Sequence, residues 1–188
     1  TPEAVASPSR RVAIVEGPAD RCFAFDGHRR IALGHFLADV RGAAAGLPEA
    51  ACAINLCEDR YRFLVAFCAI ALRGQINLLP PSRAPNAIED VRCQYPDSYC
   101  ISDVALSPAP PQLHVLPEPL PTLDGPIPEI DADAVAMIGF TSGSTGAPKA
   151  NPKTWASLRT STAQNAAALR HLWPVDHAGR HSILPVVA

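Results

Sequence analysis

AINLCEDRYRFLVAFCAIALRGQINLLPPSRAPNAIEDVRCQYPDSYCIS, residues 53–102, alternates apolar runs short enough for strands with segments long enough for helices. Ala53 to Leu56, Gln75 to Leu79 and Tyr99 to Ser102 read as strands, and Asp59 to Arg73 and Pro85 to Tyr95 as helices. Alternation at that spacing is what a parallel sheet with crossover helices requires, so the stretch predicts an α/β fold with a largely parallel sheet flanked by helices. The helix from Asp59 is apolar nearly all round, with Tyr61, Leu64, Val65, Cys68 and Ala71 on one side and Phe63, Phe67 and Ile70 on another. Such a helix is expected to be buried between the sheet and further structure. Asp59 suits its N-cap and Gly74 its C-terminal stop. Asp59 and Arg60 also follow a strand's C-terminal edge, where α/β ligands bind, but capping is the simpler role for Asp59.

Outward from this stretch the pattern continues. Residues 1–10 read as a loose lead-in, and 11–188 as one α/β unit. Val12 to Val15 and Cys22 to Phe25 read as short strands, with Asp26-Gly27 as a hairpin turn and Ile31 to Leu33 as the returning strand. Phe36, Leu37, Val40, Ala43, Ala44 and Leu47 recur at helical spacing until Gly46 and Pro48. Residues 107–129 hold eight of the 20 prolines and read as an extended connector, with a short edge strand at His114-Val115-Leu116.

Composition excludes several classes. A net charge of −2 with 18% charged residues gives no electrostatic footprint for nucleic acid or an anionic membrane. The longest apolar run, Phe63 to Leu72, is half a membrane span, and Thr1-Pro2-Glu3-Ala4 has no signal-peptide character, so a cytoplasmic location is expected. The six cysteines contain no C-x-x-C pair and most lie among apolar residues, which reads as buried free thiols rather than a metal site.

Chemistry concentrates in Gly139-Phe140-Thr141-Ser142-Gly143-Ser144-Thr145-Gly146-Ala147-Pro148-Lys149, directly after the apolar run Ala134 to Ile138. Gly143 and Gly146 let backbone N–H groups approach a ligand, and Thr141, Ser142, Ser144 and Thr145 add hydroxyls able to bond phosphate oxygens or help hold magnesium. With Lys149 they compose an anion cradle suited to a polyphosphate. A Ser/Thr/Gly run is often only a linker. This one, however, lies between a strand-like and a helix-like segment, and the chain's two lysines, Lys149 and Lys153, both fall here. Asn151 as cap and Pro152 as first helical residue predict a helix immediately after the loop, its apolar face formed by Trp155, Leu158, Thr162, Ala166, Leu169 and Leu172 and its end at Pro174. A cation at a helix N-terminus is unfavourable by roughly 0.3–1 kcal/mol unless an anion compensates it. Neither G-x-x-x-x-G-K-[ST] nor G-x-G-x-x-G fits the residues, and Ala150 stands where a phosphotransferase loop needs a hydroxyl.

Residues 140–149 closely resemble the phosphate loop of the AMP-forming adenylating enzymes, the superfamily of acyl-CoA synthetases and nonribosomal-peptide adenylation domains. The family's usual glycine after the lysine is Ala150 here, and a histidine common a few positions on is replaced by Trp155. Residues 77–85, ahead of a helix, and 97–103 also look like this family's early sheet. With the atypical segment after Lys149, these features resemble the AMP-ligases of bacterial aryl-polyene and xanthomonadin pigment clusters.

The resemblance implies the N-terminal part of the large domain of an enzyme that uses ATP and Mg2+ to convert a carboxylic acid, here an aromatic one, to an acyl adenylate. A thioester with acyl carrier protein or coenzyme A then follows. It implies that Thr141, Ser142, Gly143, Ser144, Thr145, Gly146 and Lys149 hold the β- and γ-phosphates, Lys149 acting electrostatically. The family's adenine, ribose and acid-binding segments and its C-terminal lysine have no counterpart in these 188 residues, so the chain alone is expected to be inactive. A free-standing nucleotide- or protein-binding module is the alternative. Ser182 to Ala188 reads as a strand cut short, from which self-association is expected.

Overall fold

The computed structural model describes residues 10–26, 29–141 and 148–169. Its centre is a six-stranded sheet, ordered β10-β9-β5-β4-β6-β7. The central strand is β4 (Cys52–Asn55); β5 (Ile76–Leu79) and β6 (Ser98–Ser102) flank it in parallel. Beyond β5 comes β9 (Val135–Thr141), and beyond β6 the short edge strand β7 (Leu113–Val115), both parallel to their neighbours. Only β10 (Lys149–Thr154) runs antiparallel. The sheet is therefore largely parallel, as the alternation in residues 53–102 predicts.

Helix α2 (Arg60–Leu72) carries the chain from β4 to β5, and α3 (Pro85–Gln94) carries it back across β4 to β6. The two crossovers lie on opposite faces. Ala53, Tyr99 and Ile101 pack with α2 and with α1 (Leu33–Gly46), whereas Cys52, Ile54 and Cys100 pack with Ile88 and Val91 of α3. Side-chain alternation along β4 and β6 thus feeds two cores, each able to contribute about 25 cal/mol per Å² of apolar surface buried. Helix α2 is held between α1 and the sheet, with Val65, Ala66, Ala69 and Ile70 fully buried, whereas Leu64, expected on a buried side, is exposed. Asp59 caps it by accepting the Arg62 N–H at 2.8 Å, and Gly74 follows it at φ +71°, in the left-handed region that suits glycine.

Two small sheets complete the architecture: the hairpin β2 (Cys22–Asp26) with β3 (Arg29–Ala32), and β1 (Arg11–Ala13) with β8 (Glu129–Asp131). The pairing of β1 with β8 joins the start of the chain to the end of the proline-rich connector, a link with no local signal. The connector is strapped to the body by two arginines. Arg41 donates to the carbonyls of Leu123 (2.7 Å) and Pro126 (3.0 Å), and Arg62 to those of Leu116 (3.1 Å) and Pro117 (2.7 Å) and to the Glu118 carboxylate.

The segment after the loop differs from expectation. Residues 149–154 form a strand rather than the start of a helix; α4 (Trp155–Leu169) begins only afterwards, with the Thr154 hydroxyl accepting the Ser157 N–H at 3.2 Å. Pairing with β9 satisfies the backbone groups of 149–154 that face it, and among the described residues β10 has no second neighbour; an edge strand is where a proline such as Pro152 is tolerated. Along α4, Trp155 and Leu158 are half-buried while Thr162 and Ala166 are exposed, so among these four residues the expected stripe is covered only at its start. Trp155 packs edge-on against Phe67, centroids 5.6 Å apart, as a core aromatic. Leu172, Pro174 and residues 182–188 lie outside the described residues.

Candidate functional site

Strands β9, β5, β4 and β6 end along one edge of the sheet, the edge at which open α/β folds bind ligands. Thr141, the last residue of β9, and Lys149, the first of β10, are exposed register partners across the hairpin. The segment between them is therefore closed at its base by an antiparallel pair, with a hydroxyl and an ammonium group at its two ends. Ser142, Gly143, Ser144, Thr145 and Gly146 lie outside the described residues. Ahead of them, Phe140 is buried and meets Tyr95 edge-on at 5.8 Å, anchoring β9 just before the loop.

The strand at 149–154 overturns one step of the sequence argument. Lys149 stands on an edge strand well before α4, so no helix dipole disfavours its charge, whereas Lys153 directly precedes the Thr154 cap of α4. Lys149, Asn151 and Lys153 share one face of β10, and charged residues and proline on an edge strand also discourage pairing with other chains. The described residues place Lys149 beside Thr141 at the C-terminal end of a parallel strand.

The neighbouring crevice, between the ends of β4 and β6, is occupied by the chain itself. One oxygen of Asp103 accepts the Glu58 N–H at 2.9 Å and the other the Asp59 N–H at 2.7 Å. Arg83 donates to the Cys57 carbonyl at 2.6 Å and pairs with Glu58. These bonds link residues up to 45 positions apart, and no local pattern foretells them. Burial, then the nearby Asp103 carboxylate, pushes the Cys57 thiol up to about 12, so it is protonated and unreactive at neutral pH. Asp59 is committed to capping, as read from the sequence. Among the described residues no group of three or more His, Cys, Asp or Glu could hold a metal ion, and no helix is long and apolar enough to cross a membrane.

No family model matches the chain, and neither does any curated protein. Solved structures do share its fold. The N-terminal subdomain of Klebsiella oxytoca NpsA, solved in complex with 3-hydroxybenzoyl-AMSN, is 23% identical over 72% of this chain and 37% of its own, with a TM-score of 0.55. The o-succinylbenzoate CoA synthetase MenE of Bacillus subtilis, in complex with the acyl-adenylate intermediate OSB-AMP, is 18% identical over 76% of this chain and 41% of its own, with a TM-score of 0.61. The same synthetase with AMP gives a TM-score of 0.62 at 18% identity, over 77% of this chain and 41% of its own. At such identities the likeness establishes the α/β fold, and the chain spans well under half the length of these structures.

Proposed function

We propose that the chain is the N-terminal part of the large domain of an AMP-forming ligase that activates a carboxylic acid with ATP and passes it to a thiol. The observation that carries this reading is the juxtaposition of Thr141 and Lys149 at the C-terminal end of β9, flanking a segment whose residues match an adenylating enzyme's phosphate loop. Thr141, Ser142, Gly143, Ser144, Thr145, Gly146 and Lys149 hold the β- and γ-phosphates. Thr141 and Lys149 fit this task because both are exposed and adjacent, one able to donate a hydroxyl hydrogen and the other a full positive charge. Mg2+, if bound, would neutralise phosphate charge, and the hydroxyls of Thr141, Ser142, Ser144 and Thr145 are the groups of this chain that could help hold it.

In the reaction, a carboxylate oxygen of the acid attacks the α-phosphorus and the bond to pyrophosphate breaks. Lys149 stabilises charge accumulating on that leaving group, and the loop holds it in line. A thiol sulfur then attacks the acyl carbonyl and AMP departs. We assign an aromatic acid as substrate, supported by the ligands of the NpsA and MenE structures and by the likeness to aryl-polyene and xanthomonadin ligases. The acceptor is coenzyme A or an acyl carrier protein. Hydroxybenzoate-dependent exchange of pyrophosphate into ATP, by the protein as its gene encodes it, is the expected result, while the 188-residue chain alone forms no acyl hydroxamate. Exchange that ignores the acid, or hydroxamate formation by the isolated chain, would contradict this assignment.

A further inference from the structure

The last residues of β9 run past their neighbour in the sheet. Register pairs between β5 and β9 begin at Asn77 with Met137 and end at Leu79 with Gly139. Beyond them β9 is paired only with β10, Phe140 opposite Ala150 and Thr141 opposite Lys149. The tip that carries Thr141 and Lys149 is therefore a two-stranded ribbon, an arrangement that is marginal in water unless something backs it. Gly139 has no side chain to pack, Thr141 is exposed, and so are residues 149–153 on the returning strand. Among these residues Phe140 alone is buried, at 6% exposure. Its ring meets that of Tyr95 with centroids 5.8 Å apart and planes at 79°. Edge-on pairs of this kind contribute beyond the area they bury.

Tyr95 is itself held on both sides. It is the C-cap of α3, its N–H donating to the carbonyls of Val91 at 3.0 Å and Arg92 at 3.1 Å. Its carbonyl accepts the hydroxyl of Ser98, a buried residue that opens β6, at 2.6 Å. The backbone that carries the ring is thus bonded to a helix and to a strand of the central sheet. The Tyr95 hydroxyl makes no hydrogen bond among the described residues, so the ring is the part that acts. A side chain locked in this way can fix a neighbour that binds ligand.

We propose that Tyr95 is a positioning residue for the phosphate-loop segment, its ring holding Phe140 and, through it, the ribbon end that sets Thr141 beside Lys149. What the ribbon binds rests on the proposed function, whereas the fastening does not, so the two are measured separately. Amide hydrogen exchange of the chain without nucleotide reads the fastening. Tyr95→Leu speeds exchange about two- to tenfold at residues 139–141 and 149–151 and leaves 33–46 and 52–55 unchanged, while Tyr95→Phe keeps native rates. Calorimetric titration with magnesium ATP reads the consequence: Tyr95→Leu weakens binding by a similar factor and Tyr95→Phe does not. Native exchange in the ribbon of a folded Tyr95→Leu chain, or exchange raised equally throughout, overturns the proposal. Native ATP affinity despite a loosened ribbon overturns it too. Should Tyr95→Leu unfold, Phe140→Leu keeps a buried apolar side chain but ends the ring contact, and native exchange in its ribbon overturns the proposal. If the native chain binds no magnesium ATP while the exchange pattern holds, the proposed function fails and the fastening stands.

Discussion

A methyl group on Gly42 would lie 1.9 Å from the carbonyl oxygen of Pro121, because the connector crosses α1 at that residue; Leu123 there donates its N–H to the Ala38 carbonyl at 3.0 Å. Gly42→Ala must therefore push the connector off the helix. Overpacking of this kind costs about 1–3 kcal/mol, which exceeds the roughly 1 kcal/mol of helix propensity gained. A lower thermal midpoint is expected, and an unchanged one would disprove the close approach. The buried thiols make a second prediction. Burial raises Cys57 and Cys68 from their ordinary 9.0 to about 12, so both remain protonated in the folded chain while the unfolded chain ionises. Their contribution to stability is complete below pH 9 and is lost as the pH rises from there towards 12. Denaturant titrations at pH 8 and pH 10 should show the fall, and equal stability at both would contradict it.

Among the elements, those with strong internal periodicity were legible. Residues 60–72 carry a capping signal in Asp59 and a stop signal in Gly74, 85–94 open on a proline, and 52–55, 76–79 and 98–102 carry their apolar runs, so the parallel core could be read without coordinates. Residues 149–154 could not. Lys-Ala-Asn-Pro-Lys-Thr is polar, and Asn-Pro mimics a helix start; only partnership with β9 makes it a strand. The connector likewise hides its fastening, since the donors on Arg41 and Arg62 lie 82 and 54 residues or more from the carbonyls they hold. Arg62→Ala leaves the carbonyls of Leu116 and Pro117 without this donor. A loss of about 1–3 kcal/mol is expected, with faster proteolysis in residues 116–126 than elsewhere. Cleavage at the native rate there would show that Arg62 is not the fastening.

At the scale of the whole molecule, fold and function rest on different kinds of observation. The fold follows from the two cores and from the likeness to NpsA and MenE, whereas the proposed activity rests on ten consecutive residues, of which the described portion holds Phe140, Thr141, Pro148 and Lys149. The loop's composition was legible because glycine, hydroxyl and lysine side chains carry the chemistry wherever the backbone runs. Its setting in a strand–strand hairpin was not, because that depends on distant pairing. The proposed function requires Lys149 beside Thr141 for triphosphate binding. Calorimetric titration of magnesium ATP into the chain, with Lys149→Ala in parallel, examines that requirement alone. Weak binding by the native chain that disappears in the variant is the expected result; equal binding by both would show that the loop does not hold the phosphates.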